Sequence, residues 1–203
     1  MSKKIVQYYI APPSPWTYLG HERFTEILAR TEAEVDIKPA NIGRVFAASG
    51  GLPLPKRPPQ RQAYRLQELR RWSEHLNIPL TLHPKFFPVN GDPASYLIIA
   101  ARTAHGNQAA MKLAGAIMRA VWAEERNIAD PEVLAAIANM QDLDGKQLLQ
   151  AAETPAVQAE YERNTDEAIA ANVFGAPWYI VGEEHFWGQD RLEFVERALT
   201  KSA

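Results

Sequence analysis

Along the chain, short apolar runs alternate with longer stretches in which apolar residues return every third or fourth position. Ile5 to Ile10 is apolar and rich in strand formers, Trp16 to Ala29 carries its apolar residues at helical spacing, and Val35 to Pro39 alternates. The opening therefore predicts a β-α-β unit. From Gly43 the character changes to a loop, Ser49-Gly50-Gly51-Leu52-Pro53-Leu54-Pro55 with Pro58-Pro59 behind it, long enough to have a functional part. Helical stripes follow: Leu66, Leu69, Trp72 and Leu76, then Leu97, Ile98 and Ala101, then Met111, Ala114, Ile117, Met118, Val121 and Trp122. Asp92-Pro93, Asp130-Pro131 and Thr154-Pro155 each read as a capping side chain before a proline at the first helical position. After a helix through Tyr161 to Ala171, period two returns at Trp178 to Val181. Gly182-Glu183 turns the chain into Glu184 to Trp187, and Asp190 to Leu199 reads as a closing helix.

The order is β-α-β, a long helical block, then α-β-β-α. This is an α/β pattern, the thioredoxin-like arrangement interrupted by a large all-helical insertion. Residues 1–41 and 159–203 are expected to form the thioredoxin-like domain and 42–158 the helical insertion.

Composition narrows what such a fold can do. With 46% hydrophobic and 23% charged residues and five tryptophans, the chain has apolar surface enough to offset its conformational entropy. A formal charge of −2 argues against a dedicated nucleic-acid binder. The basic run Lys56, Arg57, Arg61, Arg65, Arg70 and Arg71 is the local exception, read either as a solvated helix face or as an attractor of a small anion. Aromatic residues do not interleave with it as a base-stacking surface requires. No secretory or membrane-spanning stretch is apparent, so a cytoplasmic protein without a membrane partner is expected. The chain contains no cysteine, which excludes disulfides, thiolate metal sites and a cysteine nucleophile; its five histidines lack metal-ligand spacing, so no metal is expected.

Three places can carry chemistry. Ser14 before Pro15 is an N-cap by its local sequence. In a thioredoxin-like topology the same position is where the reactive sulfur sits, and a hydroxyl there can donate to a bound thiolate and lower its pKa. Ala176-Pro177 precedes a strand; a cis bond there would turn the Ala176 backbone outward to pair with an extended peptide ligand. At Gly188-Gln189-Asp190-Arg191 the helix start can bind a carboxylate while Asp190 binds an ammonium group, together holding an α-amino acid end.

Ser14-Pro15-Trp16-Thr17-Tyr18-Leu19, Phe174-Gly175-Ala176-Pro177 and Phe186-Trp187-Gly188-Gln189-Asp190-Arg191-Leu192 resemble the 2-hydroxychromene-2-carboxylate isomerases and the related kappa-class glutathione transferases. Arg71-Trp72 and Phe87-Pro88-Val89-Asn90 extend the resemblance through the helical block. It implies a homodimer that uses glutathione and an aromatic carboxylate substrate. Ser14 would steady the glutathione thiolate, Ala176 beside a cis Pro177 would pair with its cysteinyl backbone, and Gln189 with Asp190 would hold its γ-glutamyl end. Arg61 would neutralise a carboxylate, and Tyr18 and Asn90 would face the substrate. The implied reaction is cis–trans isomerisation by reversible thiolate addition. A kappa-like transferase and a non-catalytic peptide-binding module are the alternatives. Three positions depart from the family pattern: Ala11 replaces an aspartate, Gly51 an asparagine and Arg61 a lysine.

Overall fold

The N-terminal stretch folds as its periodicity predicts: β1 (Ile5–Ile10), α1 (Pro15–Thr31) and β2 (Glu34–Pro39), with β1 and β2 parallel from Ile5↔Glu34 to Ile10↔Pro39. A computed structural model describes residues 3–201. Ser14 caps α1, its Oγ accepting from the Thr17 N–H at 3.2 Å, and Pro15 occupies a first-turn position where a missing N–H costs nothing. The helix stops at Glu32, which is left-handed at φ 52°.

The chain then leaves the sheet. α2 (Ile42–Ser49), α3 (Pro59–Leu76), α4 (Asp92–Trp122), α5 (Pro131–Asn139) and α6 (Gly145–Ala152) precede α7 (Pro155–Ala170). β3 (Trp178–Val181) and β4 (Glu184–Trp187) complete a four-stranded sheet in the order β2-β1-β3-β4, and α8 (Leu192–Thr200) closes the chain. The expected thioredoxin-like fold with a large helical insertion is borne out. α7 runs through residue 158, so continuous helix joins the two stretches there.

Period two along β1 and β3 sorts side chains between two layers. Val6, Tyr8, Ile10, Tyr179 and Val181 join the large core built with α1 and α4, including the fully buried Phe24, Leu97 and Trp122. Tyr9, Trp178 and Ile180 point the other way into a smaller cluster with Val45 of α2 and Ala168 of α7.

Some local expectations change. The segment from Gly43, expected as loop, is helical from Ile42 to Ser49, because Asn41 accepts from the Arg44 N–H at 3.1 Å and caps it. Asp92 is not a cap: Gly91 takes that position, and the Asp92 carboxylate accepts from the Tyr161 hydroxyl of α7 at 2.7 Å. Asp130 caps as expected, whereas the Thr154 hydroxyl donates backward to the Ala151 carbonyl at 2.7 Å. A 3-10 turn over Gln189–Arg191 precedes α8. Within α4, Gly106 at φ 83° and ψ 175° breaks the helix between the two apolar stripes, a conformation open to glycine at little cost.

Buried and half-buried polar groups tie α1, α4 and α7 to the sheet and to one another. Arg102 donates to Asp36 and to the Ile37 carbonyl, both at 3.0 Å, and pairs with Glu160 of α7. Lys38 bridges Asp36 at 3.1 Å and Glu167 at 2.8 Å. His21 of α1 faces the Met111 carbonyl through Nε2 at 2.9 Å and the Tyr8 hydroxyl through Nδ1 at 3.2 Å. A carbonyl only accepts, so Nε2 carries the proton and Nδ1 accepts from Tyr8. Among the described residues no helix is long and apolar enough to cross a membrane, and no group of three or more His, Asp or Glu residues is placed to hold a metal ion.

Burial lowers the His21 pKa from 6.5 to about 4, against a smaller upward pull from the Met111 carbonyl. In the unfolded chain the ring protonates first as pH falls, so the neutral ring contributes stability above about pH 6.5 that is lost as pH drops toward 4. We expect unfolding free energy to fall by roughly 3 kcal/mol across that window and the slope to level off below it. Urea titrations at stepped pH should record this in the native sequence; a His21→Gln variant should lack that component.

Candidate active site

The N-terminus of α1 and the segment before β3 meet at the mouth of a cleft. Ser14 Oγ donates to the Ala176 carbonyl at 3.3 Å while accepting from Thr17 N–H, and the Ala176–Pro177 peptide is cis. A hydroxyl has one proton to give, and at 3.3 Å it is weakly held. That proton is available to a better acceptor at the positive end of α1. Pro177 is buried behind Ala176, and its carbonyl accepts from Gly188 N–H at 3.0 Å, fixing the approach of the next turn.

Two cavities open from this point. The larger, about 720 Å³, is lined by Ser14, Ala176, Asn41, Asn90 and the rings of Phe46 and Phe87. The smaller, about 550 Å³, runs along Trp72, Glu68, Gln189 and Asp190. Six residues line both: Trp16, Arg57, Arg61, Arg65, Ala176 and Trp187. Together the cavities can hold a peptide-like ligand in one arm and an apolar molecule in the other.

Of the expected site residues, Ser14, Arg61, Asn90, Ala176, Gln189 and Asp190 border the cavities, while Pro177 lies behind Ala176 and Tyr18 lies outside them. Asn90 reaches the larger cavity; its Oδ1 accepts from Asp92 N–H at 3.1 Å, leaving its amide hydrogens as donors. Arg61 stands at the junction. Gln189 borders the smaller cavity but is only 2% exposed, and its side-chain oxygen accepts from Arg23 at 2.6 Å. Arg23 also binds the Gln189 carbonyl, at 2.5 Å, so this pair braces the turn from behind. Asp190 lies at the rim, paired with Arg191 at 2.7 Å and still 41% exposed at its side chain. Tyr18 does not reach the cleft: it is buried in α1 and its hydroxyl donates to the Pro79 carbonyl at 2.8 Å, because helical geometry turns it a full turn behind Ser14. Ala11 and Gly51, the two departures from the family pattern apart from Arg61, also line the larger cavity.

Further lining residues had no individual role assigned from sequence. Arg57 and Arg65 belong to the basic run, whose four-residue spacing was the available signal. Phe174 and Trp187 form a lip, 43% and 52% exposed, with ring centroids 4.8 Å apart. Gly175 makes room for it: a Cβ there would lie 2.5 Å from Trp187 Nε1.

A family model described as the DSBA-like thioredoxin domain matches residues 6–200. The chain belongs to this family. Within the DSBA-like family it is 28% identical over 197 residues to a 2-hydroxychromene-2-carboxylate isomerase of Sphingobium xenophagum, covering 97% of this chain and 98% of that one. It is 24% identical to glutathione S-transferase kappa 2 of Caenorhabditis elegans, over 96% of this chain and 91% of the relative. A solved 2-hydroxychromene-2-carboxylate isomerase superposes with a TM-score of 0.78 at 26% identity, covering 96% of this chain and 94% of that one. The resemblance drawn from sequence is thus borne out, and so is the expectation of an isomerase-like enzyme, since these relatives are named as enzymes.

Gly175→Ala should destabilise this DSBA-like protein by about 1–3 kcal/mol through collision with Trp187. If the collision is the cause, Trp187→Ala should remove most of that cost; a double-mutant cycle in urea checks this, and additive costs would exclude it.

Proposed function

We propose that the protein is a glutathione-dependent isomerase acting on 2-hydroxychromene-2-carboxylate or a similar aromatic hydroxybenzylidenepyruvate. The observation that carries this reading is a serine hydroxyl at the N-terminus of a 17-residue helix, 3.3 Å from the Ala176 carbonyl and open to a cleft, in a chain without cysteine. A thiol, if the site uses one, must arrive with a ligand. The names of the Sphingobium and Caenorhabditis relatives support glutathione and an aromatic substrate.

Glutathione, when bound, would supply a thiolate that adds to a conjugated carbon, leaving a rotatable single bond until the thiol is expelled unchanged. Ser14 turns its hydroxyl proton from the Ala176 carbonyl to the sulfur, a charge-assisted bond that lowers the thiol pKa. The Ala176 backbone would pair with the cysteinyl moiety. Asp190 at the rim binds the ammonium group, and Gln189, held by Arg23, keeps that turn in position. Arg61 neutralises a carboxylate at the junction, and Asn90 donates its amide hydrogens toward the negative charge that develops on the substrate.

The transferase reading uses the same groove and is favoured by the kappa relative. It differs in whether the adduct leaves. A free-thiol assay during turnover separates the two, because isomerisation leaves thiol constant and conjugation depletes it.

Ser14→Ala should cost about 0.5–2 kcal/mol of stability as a lost cap. Turnover should fall about a hundredfold, as for loss of one donor to a developing negative charge. Calorimetry with glutathione should detect binding to the native protein. Undiminished turnover in a folded Ser14→Ala variant would reduce Ser14 to a cap, and absence of glutathione binding would overturn the proposal.

A further inference from the structure

Three arginines, Arg57, Arg61 and Arg65, meet where the cavities join. Among the described residues no carboxylate oxygen lies within 4.0 Å of Arg57, Arg61 or Arg65. The acidic side chains that border the cavities have other partners, and one of them lies at the rim: Glu68 pairs with Arg71 at 2.6 Å, Asp190, 41% exposed at its side chain, pairs with Arg191 at 2.7 Å, and Asp92 accepts from the Tyr161 hydroxyl at 2.7 Å.

The three are not equivalent. Arg57 lies over Phe46 at 5.7 Å, with its Nε donating to the Leu52 carbonyl at 2.8 Å. Arg65 lies over Phe87 at 5.4 Å and Trp122 at 5.8 Å. Phe46 and Phe87 line the larger cavity and not the smaller. Both guanidinium groups are thus held on the aromatic floor of the larger arm, half out of water. Arg61, one helical turn before Arg65, is exposed and has no such ring. Burial, and then the charge of Arg57, bring the Arg65 pKa down to about 10; burial, and then Arg61, lower that of Arg57. Gathering like charges in a partly dry site is unfavourable unless an anion joins them.

We propose that the larger cavity is built for a ligand with an apolar body and a dianionic head group, either two carboxylates or one phosphate, whose charge Arg57 and Arg65 take together. Arg61 is then left for the single carboxylate that the proposed function assigns to it, and only that division rests on the glutathione reading. The head group sits at the junction and the apolar body extends along Phe46 and Phe87.

Calorimetry at fixed ionic strength with benzoate, benzene-1,3-dicarboxylate and phenyl phosphate tests this directly. At least one dianion should bind about tenfold or more tightly than benzoate, the scale of one extra charge-assisted contact. Which one does so tells dicarboxylate from phosphate. The preference should shrink as salt is raised. Arg57→Gln and Arg65→Gln should each bring the ratio toward unity, while Arg70→Gln, outside both cavities, should leave it intact. Equal affinity for benzoate and both dianions in the native protein would overturn the proposal without recourse to any variant, as would a preference that survives both substitutions. Glutathione is titrated into the same preparation: a dianion preference without glutathione binding removes the proposed function and keeps this inference, and the converse removes this inference alone.

Discussion

Ser14 and Ala176 are separated by 162 residues and touch across 3.3 Å, and the antiparallel pairing of β1 with β3 is what holds them there. The register from Val6↔Val181 to Tyr9↔Trp178 brings the end of β1 level with the start of β3. It is strongly determined, because Tyr8 and Tyr179 fill one core while Tyr9 and Trp178 fill the other. A slip of one residue along either strand would drive its side chains into the wrong layer. The hydrogen bond itself is long and easily exchanged. A rigid frame with a replaceable contact is what a site needs if a hydroxyl is to change partners without moving backbone.

The charged groups divide along the same line. Where the insertion meets the sheet, Arg102 has a carboxylate on each side and a carbonyl besides, and Lys38 has two acidic neighbours. His21 is kept neutral by burial and uses both ring nitrogens. These groups are spent on joining elements, and breaking them would leave uncompensated charge or orphaned polar atoms. Around the cleft, Arg57 and Arg65 rest on aromatic rings and have no carboxylate at hand. Arg102 and Lys38 are paired with carboxylates and Arg23 is held by the Gln189 oxygens, whereas among the described residues Arg57, Arg61 and Arg65 gather at one cleft junction with no carboxylate within reach, and like charges so placed point toward an anionic ligand.

Much of the frame was legible from periodicity. β1, β2 and the β3–β4 hairpin are short apolar segments bounded by turn residues, and α1 is a single apolar stripe with Ser14-Pro15 at its start. Local sequence failed where tertiary partners outbid local ones. Asp92 has the spelling of a cap, but the Tyr161 hydroxyl claims its carboxylate. Thr154 has it too, but there the competitor is itself local, the Ala151 carbonyl three residues back. Tyr18 sits within the motif that identifies the cleft, yet it lies one helical turn further from the mouth than Ser14, where it is buried and the Pro79 carbonyl is its partner. The short helix α2 was hidden because its start depends on Asn41 and its sequence runs into glycine and proline. Arg57 and Arg65 were visible only as a basic run, since spacing alone cannot tell a solvated face from a cleft floor.

The missing cysteine gives these features their common direction. A thioredoxin-like frame concentrates positive potential at the start of α1, which favours an anion whatever its source. With a hydroxyl at position 14, no electrons can be stored in a disulfide there, so under the proposed function that potential serves an anion that arrives with a ligand and departs with it. Binding then has to supply what covalent attachment supplies in a redox relative: correct placement of the charged atom beside Ser14. That demand is consistent with anchoring groups spread along two arms, Asp190 and the braced Gln189 at one end, the arginines at the junction and the aromatic floor beyond. A ligand gripped at several separated points loses its freedom before the reacting atom is engaged, and the weak Ser14 to Ala176 contact is then the cheapest one to give up.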